Sequence, residues 1–225
     1  MKYGIVIPNK YPDVIERLLR SLTLLTPMPR VVIVADNHDN SYGYELVRYQ
    51  EDHFVFAQAV NMGIRALDGL DPVIINDDTW FNDPKLLCRM EEFAYSGQRL
   101  GIISPLIVGC AGNRLQRFHE STMWWRPGEQ YKVIPPDSTE HLCFPFIYLK
   151  RAMLDQIGLL TEKYTGYGKD DWELCMRAQR TGWRMGILRS ALVGHGDGSP
   201  DLDSGWGRSW STSYARRWPE RPPMS

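Results

Sequence analysis

The sequence has no long apolar run, almost no net charge and no paired cysteines, and each absence removes a class of function. No stretch approaches the roughly 18–20 consecutive apolar residues that a membrane-spanning helix needs. The opening Met1-Lys2-Tyr3 with Gly4-Ile5-Val6-Ile7 is too short an apolar run for a secretory signal. With 26 basic and 27 acidic residues the formal net charge is -1, so no broad field draws the whole body to nucleic acid or anionic membrane. The four cysteines, Cys88, Cys110, Cys143 and Cys175, form no C-x-x-C pair, which argues against a zinc knuckle or a redox motif. Reduced thiols packed as small apolar groups suit a reducing compartment, so a soluble, cytoplasmic protein is expected. No internal repeat is present.

What the chain does have is apolar material: 43% of its 225 residues are hydrophobic, enough for a real core in one domain, or one domain plus a small appendage. Aromatics reach 12%, with 8 Trp. Trp124-Trp125, Trp206, Trp210 and Trp218 fall in Gly-, Pro-, Ser- and Arg-rich segments that read as loops, where flat rings meet ligands more often than in strands.

Tyr3–Ile7 reads as a buried strand stopped by Pro8-Asn9, and Pro12 opens a helical pattern carried by Val14, Leu18, Leu22 and Leu25. Val31–Val34 is a second apolar strand, closing on Asp36-Asn37-His38-Asp39-Asn40. Strand, helix and continuously apolar strand make a βαβ unit of a parallel sheet. The pattern then predicts a short strand at Phe54-Val55-Phe56, a helix from Ala59 to Leu67, and a strand from Pro72 to Ile75. Asp83-Pro84 opens a helix that stops at Gly97, and Gly101–Ser104 is a further strand. Periodicity fails from Gly109 to His141, a length that marks a functional loop or a hairpin excursion. Phe144–Leu149 restores order, followed by a helix ending at Gly158. Asp170–Arg180 is a strong helix, with Glu173 and Arg177 as an i,i+4 pair and Gly182 as its cap, and Met185–Val193 reads as a last strand or two before His195.

Three polar clusters fall at strand ends: Pro8-Asn9, Asp36-Asn37 and Asn76-Asp77-Asp78. In open α/β sheets ligands bind outside the carboxyl ends of the strands. One such cluster is an ordinary turn as readily as a site, but three consecutive ones favour a shared site. Adjacent carboxylates repel unless a cation or proton neutralises them, and a diphosphate-bound magnesium or manganese is their natural partner. A second acidic group, Lys169-Asp170-Asp171-Trp172-Glu173, opens the helix after Gly166-Tyr167-Gly168. Acids there complement the helix dipole, and an ionised one can also accept a proton from a hydroxyl nucleophile.

Over roughly residues 3 to 195 the chain resembles the family 2 glycosyltransferases of the GT-A fold. Six segments in order carry the likeness. They are Gly4-Ile5-Val6-Ile7-Pro8, Val32-Ile33-Val34-Ala35-Asp36-Asn37, Ala59-Val60-Asn61-Met62-Gly63-Ile64, Ile74-Ile75-Asn76-Asp77-Asp78, Asp170-Asp171-Trp172-Glu173-Leu174-Cys175-Met176-Arg177 with Gly182, and Val193-Gly194-His195. The resemblance implies an α/β GT-A fold, with a mostly parallel, Rossmann-like central sheet flanked by helices. Residues 1–195 would form the transferase domain, with 1–80 its nucleotide-binding half and 81–195 its acceptor half, and 196–225 would be a lid or tail. Pro8 and Asp36 would line the nucleoside, with Asn61 beside the same part of the donor. Asp78 would hold manganese or magnesium on the diphosphate of a nucleotide-sugar donor, with Asp77 nearby and His195 as second ligand. Asp171 would be the general base of a single in-line, inverting displacement, paired with Asp170. The chain departs from the family pattern in several places: Ala35 stands where many members have a first Asp, and Tyr214-Ala215-Arg216-Arg217-Trp218 only loosely resembles the R-W motif of processive members. Asn76 replaces the first acid of D-x-D, where its amide would bond the donor ribose or a metal-bound water, and Asp170 replaces a glutamate. A lone His after a strand is more often structural than a ligand; the family match, and the glycines on either side of His195, favour the ligand.

The acceptor remains open among protein, glycan, lipid carrier, modified nucleic acid and small molecule, and so does the oligomeric state. Arg114, Arg117, His119, Trp124, Trp125, Arg126 and Tyr131 mix basic and aromatic side chains, as an acceptor-binding loop or a solvated one would. From Gly205 onward four Arg and one Glu give a local excess of basic charge, and Arg208, Arg216 or Arg217 would close over the diphosphate as part of a lid. The competing readings are a nucleotidyltransferase, disfavoured by Pro8-Asn9-Lys10-Tyr11 where a Gly-rich loop belongs, and a non-catalytic sugar- or nucleotide-binding module.

Overall fold

A computed structural model describes residues 1–97, 99–109, 115–117, 129–164 and 169–196. Trp124-Trp125, Arg114, His119, Arg126, Gly166-Tyr167-Gly168 and the tail with Arg208, Arg216, Arg217, Trp206, Trp210 and Trp218 lie outside the described residues. The strands are β1 (Tyr3–Asn9), β2 (Arg30–Asp36), β3 (Glu45–Tyr49), β4 (Asp71–Ile75), β5 (Thr79–Trp80), β6 (Leu100–Gly109), β7 (Tyr131–Ile134), β8 (Phe146–Leu149) and β9 (Arg184–His195). The helices are α1 (Glu16–Leu22), α2 (Phe56–Ala66), α3 (Leu86–Ser96), α4 (Arg151–Ile157) and α5 (Asp170–Arg180).

All the strands join one sheet in the order β3-β2-β1-β4-β8-β6-β9-β5, with β7 added along β9. β1 pairs in parallel with β2 and β4, and β2 with β3. This half is the βαβ architecture that the apolar runs predict. Beyond β4 the sheet is mixed: β8 runs antiparallel between β4 and β6, while β9 returns parallel to β6. Two reversals cancel, so β4, β6 and β9 all end at the same edge.

Both faces are covered, which is why the inner strands read as unbroken apolar runs rather than alternating ones. In β1, Tyr3, Ile5 and Ile7 point to a core shared with Leu18 and Leu22 of α1 and Leu86, Met90 and Phe93 of α3. Val6 faces the other core, with Ala59, Val60 and Ile64 of α2, Met153 of α4 and Leu174 of α5. Among the described residues no helix is long and apolar enough to cross a membrane.

Two predicted boundaries moved. The third strand is Glu45–Tyr49, whereas Val55 is the N-cap of α2 and Phe56 its first residue. β3 is an edge strand with Glu45 and Arg48 exposed, so it lacks the continuous apolar run that marked its neighbours. The aperiodic segment after Gly109 holds another half-exposed strand, β7, pairing antiparallel with β9.

Candidate active site

The strand order reverses between β1 and β4, the crevice where open α/β sheets bind ligands. β1 ends in Pro8 and Asn9, both buried, and β4 runs into Asn76-Asp77-Asp78. A side-chain bond closes the crevice: the Asn9 amide donates to Asp77 Oδ2 at 2.8 Å and to the Tyr11 carbonyl at 2.9 Å. Burial, then repulsion from Asp78, pushes the Asp77 carboxyl up to about 7, against the pull of Asn9 and the amides of Lys10 and Tyr11. Asn9, part of the Pro8-Asn9 cluster marked in the sequence but given no role there, thus ties the end of β1 to the Asn76-Asp77-Asp78 turn. Its signal was its place at the end of the first strand.

β9 brings in His195. Because β9 runs parallel to β6, its last residue reaches the same edge, and the short β5 folds back so that Thr79 pairs with His195. His195 Nε2 lies 3.1 Å from Asp78 Oδ1 and 3.4 Å from Asn76 Nδ2, while the Gly196 amide donates to the Asp78 carbonyl at 2.9 Å. His195 lies 119 residues beyond Asn76 in sequence, and the fold brings it against the Asn76-Asp77-Asp78 turn. Two glycines make the seat. Gly109 sits at φ 119 against the His195 backbone, a conformation side-chain-bearing residues rarely adopt. A Cβ on Gly194 would overlap the Trp80 indole, whose ring centre lies 5.2 Å from the Arg17 guanidinium.

Asp36 ends β2, half-buried, with Asn37 Nδ2 donating to its Oδ1 at 2.8 Å. Burial raises its pKa, and nearby Lys10 and His38 pull it back. His38 Nε2 stands 3.3 Å from the Asn9 carbonyl, so the ends of β1 and β2 form one surface. Asn61, expected beside the donor, has its side chain bonded within the protein. It is buried in α2, its Nδ2 donating to the Leu160 carbonyl and Glu162 Oε1 at 2.8 Å each and its Oδ1 accepting from the Leu160 amide at 3.1 Å. With its amide committed on both sides, Asn61 clamps the 160–162 segment to α2.

Asp170 and Asp171 begin α5, both buried. Burial and then Asp170 raise the Asp171 carboxyl to about 7, while the Trp172 amide at 2.6 Å and the Cys143 thiol hold it partly down. Burial also raises Asp170. Cys143 connects the two acidic groups. Two residues on, the Pro145 carbonyl accepts the Asn76 amide at 2.8 Å. Two residues of extended chain span at most about 7 Å, so Asp171 and Asn76 sit at either end of a short strap.

Asp78, His195 and Asn76 are the residues able to hold a cation. Asn76 Oδ1 and Asn9 Oδ1 are buried acceptors with no protein partner, an arrangement that fits a cation or a ligand donor in the crevice. Among the described residues no three His, Cys, Asp or Glu side chains form a metal group by themselves. Hard cations bound through one or two protein ligands take their remaining oxygens from phosphate and water.

No protein-family model and no curated protein matches the chain. Solved structures match it by shape. The mannosyltransferase PcManGT from Pyrobaculum calidifontis, in complex with GDP-Man and Mn2+, matches at 15% identity and a TM-score of 0.62, over 89% of this chain and 58% of that one. Residues 1–349 of S. aureus TarS in complex with UDP-GlcNAc match at 16% identity and a TM-score of 0.66, over 92% of this chain and 62% of that one. GalNAc-T7 with UDP, GalNAc and Mn2+ matches at 11% identity and a TM-score of 0.68, over 89% of this chain and 44% of that one. The chain thus spans under two thirds of the length of each of these proteins. Its fold is the mixed α/β GT-A glycosyltransferase fold.

Proposed function

We propose that the chain is a glycosyltransferase that moves a sugar from a nucleotide-sugar donor to an acceptor hydroxyl. The observation that carries this reading is the convergence of Asn9, Asn76, Asp77, Asp78 and His195 on the crevice between β1 and β4. Similar folds solved with GDP-Man, UDP-GlcNAc or UDP support a nucleotide-sugar donor.

In this reading the base and ribose of the donor lie along the ends of β1 and β2, against Pro8 and Asp36, and Asp77 and Asn76 face its ribose-diphosphate part. Asp78 and His195 would hold a divalent cation, manganese or magnesium, which would neutralise the charge that builds on a leaving diphosphate. Asp171 takes the proton from the acceptor hydroxyl. The acceptor oxygen then bonds to the anomeric carbon as that carbon's bond to the diphosphate oxygen breaks, and the configuration inverts in one displacement. Asp170 keeps the site acidic and, by repulsion, raises the proton affinity of Asp171. Arg208 and Arg217 would supply a cationic cover from the tail.

The test is transfer and hydrolysis with a panel of nucleotide sugars in manganese, using wild type, Asp171→Asn and Asp78→Ala. Asp171→Asn should lower kcat by about 100-fold or more with donor KM retained. Asp78→Ala should weaken manganese binding in the presence of nucleoside diphosphate, read by titration calorimetry. Equal kcat in wild type and Asp171→Asn would remove that residue as the base. Donor binding without turnover of any donor would favour a non-catalytic binding module, the reading to which Asn76, in place of an acid, lends support.

A further inference from the structure

The segment from Leu142 to Pro145 is held in more places than a connecting loop requires. Gln116, fully buried, grips Cys143 on both sides of its backbone: its Oε1 accepts the Cys143 amide at 2.8 Å and its Nε2 donates to the Cys143 carbonyl at 2.9 Å. The same Nε2 donates to Ser104 Oγ at 2.8 Å in the middle of β6, and the Gln116 carbonyl accepts the Ile107 amide at 2.7 Å. One side chain thus stands in for a strand and fixes Cys143 to the sheet. One residue earlier, the Leu142 amide donates to Cys175 Sγ at 3.4 Å, and that thiol lies 3.6 Å from the Leu142 carbonyl. Cys175 is on α5, one turn beyond Asp171. At the far end, Pro145 accepts the Asn76 amide.

We propose that Cys143, fixed by Gln116, is a positioning residue for Asp171: its thiol donates to the carboxylate and holds it in one orientation toward the crevice. The inference rests on Asp171 as the base of the proposed reaction. A thiol is a weak donor, but here its direction is set by a backbone that cannot turn. Its effect opposes that of Asp170, whose charge raises the proton affinity of Asp171. Cys175 feels the Asp171 charge too, and burial keeps its own thiol protonated. The arrangement therefore offers a neutral donor on the strap, a repelling carboxyl on the helix and a buried neutral thiol one turn along.

The test reads the carboxyl itself. Full-length protein carrying 13C-labelled aspartate is titrated by NMR, with the Asp171 resonance identified by its loss in Asp171→Asn. Cys143→Ala should raise the Asp171 midpoint by about half to one pH unit, Cys143→Ser should return most of that shift, and Gln116→Met should move it the same way as Cys143→Ala. In the transfer assay Cys143→Ala should lower kcat several-fold at pH 6.5 but little at pH 8.5, with donor KM unchanged. An unmoved midpoint in folded Cys143→Ala overturns the proposal. A shift with Cys143→Ala but none with folded Gln116→Met overturns the part assigned to Gln116. The two readings fail separately: a midpoint shift in a protein without transfer activity sinks the reaction and leaves the contact standing, and transfer with an unmoved midpoint does the reverse.

Discussion

As the proposed base, Asp171 would couple activity and stability to pH in opposite directions. Its carboxyl is raised from 3.8 to about 7 in the folded protein, so between those values the native state binds a proton that the unfolded chain releases. The stabilising contribution is full below about 4 and is lost as the pH climbs through 7. A base must be ionised, so the rate follows the opposite course and falls about tenfold for each unit below 7. Thermal unfolding of wild type and Asp171→Asn from pH 5 to 8 separates the two effects. The variant should already exceed wild type modestly at pH 5, where the unfolded carboxyl has released its proton, and the gap should widen by several degrees toward pH 8. A Tm difference that does not change with pH would mean that the buried carboxyl titrates at its ordinary value.

At the scale of elements, the seat of His195 depends on strands that meet only in the fold. Gly194 leaves room for the Trp80 indole, and Arg17 caps the outer face of that ring while reaching the Gly196 carbonyl at 3.5 Å. Gly194→Ala forces the indole away, with an expected cost of about 2–4 kcal/mol and weaker manganese binding. Trp80→Ala removes the obstacle, so the two costs should fall short of adding in a double-mutant cycle, read by denaturant unfolding. Additive costs would mean that Trp80 is displaced without consequence. The strand and its terminal histidine were legible, because Met185–Leu188 and Ala191–Val193 are apolar runs that stop at Gly194-His195. The fit of Gly194 to Trp80 was not, since nothing local to either residue records it. The helix at Asp170–Arg180 was legible to the residue because acids at its start, the Glu173–Arg177 pair and Gly182 at its end all agree. β3 and β7 escaped for one reason: an edge strand half in water has no apolar run to read. Gln116 and Cys143 escaped because their roles rest on hydrogen bonds between aperiodic segments.

Across the whole molecule, on the proposed reading, the sheet would separate binding from stability along its strands. The direction of β8 was hidden from sequence, because a strand buried on both faces shows the same apolar run whichever way it points. That direction matters, since it lays Tyr148 beside the foot of β4. There Asp71 is buried and accepts three bonds: Tyr148 OH at 2.6 Å and Tyr95 OH at 2.8 Å on Oδ2, and the Arg151 amide at 2.7 Å on Oδ1. One carboxyl thereby ties β4 to β8, α3 and the start of α4. Asp71 opens β4 and Asn76 follows its end, so a strand length of about 16 Å separates this knot from the crevice. Asp71→Ala leaves donors without an acceptor in the core and should cost about 3–5 kcal/mol in urea unfolding. Below its lowered Tm it should keep the kcat and donor KM of wild type. Asp78→Ala, at the other end of the same strand, should do the opposite, with donor and manganese binding lost and unfolding free energy within about 0.5 kcal/mol of wild type. A kinetic defect in folded Asp71→Ala would show that strain at the foot of β4 reaches the Asn76-Asp77-Asp78 turn, and that the two ends of the sheet are not independent.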